Sequence, residues 1–225
     1  EVVGSKEVDD VNRGWFVGKD ISAIWDHEFI GIWQEDEAEE AAKYGQQPGD
    51  AKVRDVNGDY KITQEDKVFL GQETPKFRWS FRNEFTLFRN WDISLNLYSQ
   101  MGHKQSTTEY LNFFDNLGDY SNTYKREYWT PENKSNSYAR LKSTRPSNIN
   151  PKKVINKGFI RLENISVSYR VPQQFARKLM AKEISIYGTV RNVAVWAFDK
   201  EWDYWDPETK GLLPRTFTFG ASITF

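Results

Sequence analysis

A chain of 225 residues with a net charge of −1 and no cysteine has no charge excess to hold a nucleic-acid backbone, no disulfide framework and no thiolate metal site or nucleophile. Two histidines, His27 and His103, leave little for a zinc centre or a histidine-centred triad. Mean hydropathy is −0.75 and no run of about 18 apolar residues occurs, which excludes a transmembrane helix but not a β-barrel, whose strands are apolar on one face only. Aromatic residues make up 16% of the chain, with nine tryptophans, and interfacial girdles or a sugar-stacking surface would both use them. The sequence begins at Glu1 with no basic-then-apolar leader, so either a mature protein starts there or a piece of a longer one does.

Residues 1–19 are polar and lack a clear period. From Asp20 to Gln34, Ala23, Trp25, Phe29 and Trp33 share one parity and Asp26 and Glu28 the other, which predicts a strand whose alternation Ile30 and Ile32 blur. Residues 35–44 read as a short acidic helix, and 46–76 as a loop. Two strands then follow at Phe77–Leu87 and Trp91–Met101, separated only by Phe88, Arg89 and Asn90, as in a tight antiparallel hairpin. Their polar faces carry Arg78, Arg82 and Glu84, costly in a small closed core and expected in the lumen of a wide barrel. Residues 102–156 form a long stretch rich in Asn, Ser, Thr and Tyr. The strand from Gly158 to Val171 slips its apolar parity near Glu163 and Asn164, and the strand from Glu183 to Ala197 slips near Asn192; one extra residue, a β-bulge, would produce each slip.

The last eleven residues, Arg215 to Phe225, alternate without a break: Phe217, Phe219, Ala221, Ile223 and Phe225 on one face, Thr216, Thr218, Gly220, Ser222 and Thr224 on the other. Loops 35–76, 102–156 and 198–213 are long and the turns between them short, the sorting that a membrane barrel shows. The sequence therefore reads as all-β, about six antiparallel strands. Single-chain membrane barrels start at about eight strands, so residues 1–225 read as the C-terminal part of a larger transmembrane barrel. In that reading Phe217, Phe219, Ile223 and Phe225 face lipid and 215–225 is the closing strand.

One motif suggests a metal. Asp55, Asn57, Asp59 and Asp66 place side-chain oxygens at positions one, three, five and twelve of an EF-hand-like loop, 55–66, with the backbone carbonyl of Lys61 at position seven and Ile62 as the apolar anchor. Hard oxygen ligands at that spacing suit calcium in a structural role. Tyr60 stands where glycine usually takes the turn, and Asp66 replaces the longer glutamate. The other reading is a polar Asn-Gly turn with no ion. No pair of carboxylates can be placed opposite each other, so no acid–base chemistry is assigned and an enzyme is not expected.

Several segments, in order, resemble the C-terminal region of the SusC/RagA family of TonB-dependent outer-membrane transporters of Bacteroidetes. They are Phe29-Ile30-Gly31-Ile32-Trp33-Gln34; Pro48-Gly49-Asp50 leading into Asp55-Val56-Asn57-Gly58-Asp59; Gly71 with Pro75-Lys76-Phe77; Tyr128-Trp129-Thr130-Pro131-Glu132-Asn133; Ile160-Arg161-Leu162-Glu163-Asn164; and Asp206-Pro207-Glu208 with Pro214 to Gly220. The resemblance implies a barrel of about 22 strands with an N-terminal plug. It also implies import of oligosaccharides or peptides driven through TonB, which would be contacted by a part missing here, and a SusD-like lipoprotein that closes the barrel. The chain would then be integral to the outer membrane, in contact with lipid, the plug and the remainder of the barrel, and Phe217, Phe219 and Phe225 would carry the family's C-terminal assembly signal. Loop aromatics Tyr110, Phe113, Phe114, Tyr128, Trp129, Trp202 and Trp205 are candidates for substrate or partner contact; packing of the loops onto themselves is the plainer reading for most of them. His103 is expected at a strand rim. A soluble extracellular carbohydrate-binding β-sandwich with a dockerin-like calcium loop is the alternative. It explains the aromatics and the calcium loop, but not the charged inner faces or the terminal Phe225.

Overall fold

The structure, a computed structural model, describes residues 8–107, 127–149, 151–202 and 205–225. Among them the strands are β1 (Ala23–His27), β2 (Phe29–Ile32), β3 (Ala51–Val53), β4 (Lys67–Gln72), β5 (Phe77–Leu87), β6 (Trp91–Met101), β7 (Lys104–Thr107), β8 (Lys153–Asn156), β9 (Phe159–Arg170), β10 (Glu183–Ala197) and β11 (Thr216–Thr224). Two short helices, α1 (Ala38–Lys43) and α2 (Gln173–Ala176), accompany them. The chain divides into two units, Pro75–His103 with Asn156–Phe225, and Glu1–Thr74 with Lys104–Ile155.

The first of these units is a five-stranded antiparallel sheet in the order β11-β10-β9-β6-β5. Its register aligns like side chains across every strand. Phe219, Gly188, Val167, Ile93 and Phe85 form one cross-strand row, and Ala221, Ile186, Tyr169, Trp91 and Leu87 the next. Between them, on the other face, runs Gly220, Tyr187, Ser168, Asp92 and Thr86. The parity slips are bulges. Pairing shifts between Arg191 and Ala194 on β10 and between Asn96 and Leu97 where β6 meets β9, and Asn192 takes a φ of +55°. Without the shift Leu162 would land on the polar face; with it, Leu162 pairs with Leu97 on the apolar one. That apolar face is open: Phe77, Phe81, Phe217 and Phe219 are 58%, 54%, 59% and 81% exposed.

The other unit is a set of two-stranded ribbons, β1 with β4, β2 with β3 and β7 with β8. The single strand expected at Asp20–Gln34 is therefore two short ones with separate partners, and the barrel sheet here has five strands rather than about six. The cause lies at the blurred alternation: Gly31 takes a φ of +141°, and both pairings shift register, between Ile24 and Trp25 and between Phe29 and Gly31. Unlike the open sheet, this unit has a conventional core, in which Ile32, Ala51, Trp129 and Ala139 are buried together with Phe29 and Tyr138 packed against them.

Two sequence motifs build that core by holding each other. The Trp129 indole donates to Gln34 Oε1 (3.0 Å), and the Ile32 amide donates to Asn136 Oδ1 (2.8 Å). Gly49 has a φ of +89°, and a Cβ there would stand 2.5 Å from the Trp129 ring, so the position tolerates only glycine. Next to it, fully buried Asp50 accepts from Arg140 Nε (2.9 Å), the Thr144 amide (2.8 Å) and the Thr144 hydroxyl. A buried carboxylate needs such partners, and residues 139–144 supply them from a distant part of the sequence.

Candidate functional site

The 55–66 segment folds as a tight turn closed by its own carboxylates. Asp55 accepts from the amides of Gly58 (2.7 Å) and Tyr60 (2.9 Å) and from the Tyr44 hydroxyl (3.2 Å). Asn57 Oδ1 accepts from the Asp59 amide (3.1 Å) and Asp59 Oδ1 from the Lys61 amide (2.8 Å). Asp66, fully buried, accepts from the amides of Val56 (2.9 Å) and Thr63 (2.7 Å), and Ile62 is buried as the motif requires. Tyr60 occupies the left-handed region at φ +61°, so the turn made by glycine in the standard loop is made here by a tyrosine. Its ring lies 5.6 Å from that of Tyr44 and 4.9 Å from the Lys43 ammonium. Burial opposes ionisation of Asp55, but the amide hydrogen bonds outweigh it and hold its carboxyl below the usual range. Burial and the Asp55 charge push the Tyr44 phenol up to about 12.

Whether these donors suit calcium depends on convergence. Among the described residues no three His, Asp or Glu side chains are grouped as a metal ion would need. Both Asp66 oxygens already accept a backbone amide, while Asn57 and Asp59 make Asx turns that leave lone pairs directed elsewhere. The oxygens of Asp55, Asn57, Asp59 and Asp66 thus close the turn on its own amides, and the candidate ligands, with Lys61, are spread along it rather than gathered at one point.

The sheet's polar face carries a second constellation. Arg161 is buried, and its Nη2 donates to Asp206 Oδ2 at 2.6 Å and lies 3.4 Å from Glu208 Oε2. Glu208 also accepts from the Tyr98 hydroxyl (2.5 Å) and from Gln100 Nε2 (3.0 Å). Asp206 Oδ1 accepts from the amides of Glu208 (3.0 Å) and Thr209 (3.1 Å), which fixes the turn at Pro207. The Arg161 guanidinium lies 5.2 Å from the Phe159 ring. The loop before β11 is therefore pinned to the wall by an arginine from β9 and by side chains from β6. Arg161 and Asp206-Pro207-Glu208 both stand in family-like segments, yet their meeting is absent from any local pattern. The available signal was an arginine near the start of a strand, flanked by apolar residues, which needs a carboxylate once buried.

The aromatic candidates separate. Tyr110, Phe113 and Phe114 lie outside the described residues. Trp129 is core rather than surface: its ring is enclosed by Ile32, Ala51 and Ala139, which leaves no face for a ligand. Tyr128 is half-buried; Trp202 is half-buried too and donates its indole N–H to the Asn156 carbonyl (2.7 Å), while Trp205 is exposed at 36%. Phe217, Phe219 and Phe225 are all exposed. His103 is buried, and burial first, then Lys157 and Arg78, push its pKa down.

No family profile matches the chain. Two curated proteins of Formosa agariphila are similar over most of it: TonB-dependent receptor P26, 25% identical over 95% of the chain and 24% of that protein, and TonB-dependent receptor P3, 23% identical over 92% and 22%. Among solved structures, that of the RagAB peptide transporter matches with a TM-score of 0.64 at 16% identity, covering 95% of the chain and 24% of that protein. The RagAB peptide importer in its closed-closed state also gives 0.64 at 16% identity, over 100% of the chain and 25% of that protein. The chain thus spans about a quarter of the length of each. Its five-stranded sheet, apolar on one face and charged on the other, matches a portion of a β-barrel wall. Over nearly its whole length the chain is thus similar to a segment of TonB-dependent receptors, and its fold matches part of the RagAB transporter.

Proposed function

We propose that the receptor to which this chain belongs imports oligomeric nutrients, oligosaccharides or peptides, across the outer membrane, with energy relayed by TonB and a SusD-like surface lipoprotein as partner. The observation that carries this reading is the in-register sheet, whose uncovered apolar rows suit lipid and whose opposite face holds Arg161, Asp92 and Glu84 as a water-filled lumen would. The sandwich alternative would bury those apolar rows as its core, and Phe219 at 81% exposure speaks against it. Loops 35–76, 102–156 and 198–213 face the exterior in this reading, and Phe217, Phe219 and Phe225 present the assembly signal. Extraction of the full-length receptor tests the membrane assignment: release by high salt without detergent would overturn it. Growth on defined peptides or oligosaccharides as sole carbon source, with and without the gene, tests import.

Calcium at 55–66 belongs to the same proposal as a structural clip on an external loop. Its support is the amide pattern around Asp55 and the left-handed turn at Tyr60. Calorimetric titration of calcium into the chelator-treated receptor is expected to show a site that Asp55→Ala abolishes; equal heats from both proteins would exclude it.

A further inference from the structure

The connection between β9 and β10 bends onto the apolar face of the five-stranded sheet. Ala176 and Ala181, at the end of α2 and just beyond it, are buried with Ile184, and Val171 packs against them. Ile184 pairs with Ile223, which shares a face with Phe217 and Phe219. What the connection leaves uncovered is mixed. Phe175, Leu179 and Met180 are exposed, Met180 at 88%, and so are Arg177 and Lys178. The turn between β5 and β6 repeats the mixture, with Phe88 and Arg89 both exposed. Both lie at one end of the sheet, since the Arg170 amide donates to the Asn90 carbonyl at 2.8 Å.

Charge at this end is one-sided. Arg170 is taken up by Asp92 at 3.1 Å. Across 88–90 and 171–183 the other charges are Arg89, Arg177, Lys178 and Lys182 against Glu183, a surplus of three positive charges in a chain of net charge −1. Among the described residues Arg89, Arg177 and Lys178 have no carboxylate at ion-pair distance, and the Lys178 ammonium lies instead 5.7 Å from the Phe175 ring. One register row in from the turns stands an aromatic pair, Trp91 and Tyr169, with ring centroids 4.7 Å apart; the next row is Phe219, Gly188, Val167, Ile93 and Phe85. Aliphatic and phenyl groups, then a Trp–Tyr pair, then cations is the order of polarity met on passing from hydrocarbon to headgroups. Long cationic side chains reach the headgroup plane from such a position while neighbouring apolar side chains dip below it.

We propose that this end of the sheet docks on a phospholipid leaflet and that Arg177, Lys178 and Arg89 select anionic headgroups in it. This rests on the membrane assignment and adds to it the lipid class met at one end of the strands. Cations held at a headgroup plane attract anionic lipids and leave zwitterionic ones unenriched.

The test uses the full-length receptor reconstituted in phosphatidylcholine vesicles. These carry a trace of phosphatidylglycerol or phosphatidylcholine with a photoreactive diazirine close to the glycerol, and labelled peptides are counted by mass spectrometry. Residues 171–182 are expected to take up about three- to tenfold more label from the phosphatidylglycerol probe. In R177Q/K178Q most of that excess should disappear, and in R177K/K178R it should stay. Equal labelling of the wild type by both probes, or an undiminished excess in R177Q/K178Q, overturns the proposal. Should R177Q/K178Q not insert, salt decides: the wild-type excess should fall steeply between about 50 and 500 mM, and a salt-independent excess overturns the role of the cations. A phosphatidylcholine with its diazirine at the chain end reports separately on 217–223. If it labels 217–223 while neither glycerol-level probe labels 171–182, something other than lipid covers the turn, and the docking proposal falls with the membrane assignment intact. If 217–223 stay unlabelled too, the membrane assignment itself fails.

Discussion

The two units solve opposite problems. In the five-stranded sheet phenylalanines stand outside, Phe219 at 81% exposure, and an arginine is buried at Arg161. In the ribbon-rich unit Trp129 and Ile32 are inside and Lys104 is exposed at its surface. On the proposed membrane reading, one chain is written for two solvents. Where the apolar partner is lipid, a strand needs only alternation and a charged lumen face; where it is protein, a long loop must bring its own core. The same two habits set where substitutions should hurt.

The largest effect should come from the buried pair. Arg161→Met removes the cation and leaves Asp206 buried without it, which is expected to destabilise by about 3–5 kcal/mol. The thermal transition of the detergent-solubilised receptor should fall accordingly, and the Arg161→Met/Asp206→Leu double variant should recover much of the loss. A double variant as unstable as the single one would show that the pinning is not electrostatic.

Trp129→Ala probes the other kind of core and is expected to cost about 3–5 kcal/mol, since it empties a close-packed site against Gly49. Limited proteolysis reads it: cleavage should appear within 127–149 while the sheet strands stay protected. A uniform loss of protection would merge the two units into one cooperative body.

A charge placed on either face of β11 sharpens the contrast. Phe219→Arg should cost about 2–4 kcal/mol near the membrane midplane, whereas Thr218→Arg, one residue away and facing the charged side, should be tolerated. Insertion yield into the outer membrane measures both. Equal yields would contradict the lipid assignment of the Phe217, Phe219 and Ile223 face.

This pair also marks what was legible in the sequence. Alternation is local, so five strands and both bulges could be read from parity alone: Leu162 and Ile165 reveal a slip without reference to any partner. The ribbons could not. Strands β1 and β2 share one apparent period because four- and five-residue segments are too short to display a break at Glu28, and their partners β3 and β4 lie inside what read as loop. Contacts such as Arg161 with Asp206 or Trp129 with Gln34 join residues 45 and 95 positions apart, and no spacing rule encodes them. For Trp129 the sequence left contact with a ligand and packing within the loop both open, and the structure takes the packing side, against Gly49 and Ile32.

The smallest effect is expected on the acid side of the ribbon-rich unit. Burial opposes ionisation of Asp26, but the His27 ring, the Lys152 ammonium and the His27 amide outweigh it and hold its carboxyl well below the usual range. A carboxylate depressed on folding contributes stability above its unfolded pKa of about 3.9, and that contribution is lost as pH falls towards the folded value. Below pH of about 4, proteolytic protection of β1 and β4 should therefore fall, and Asp26→Asn should be weaker at neutral pH but flatter across that window. Asp26→Asn supplies the control: if β1 and β4 lose protection over the same pH window in that variant as in the wild type, acid is acting on other groups and not on Asp26.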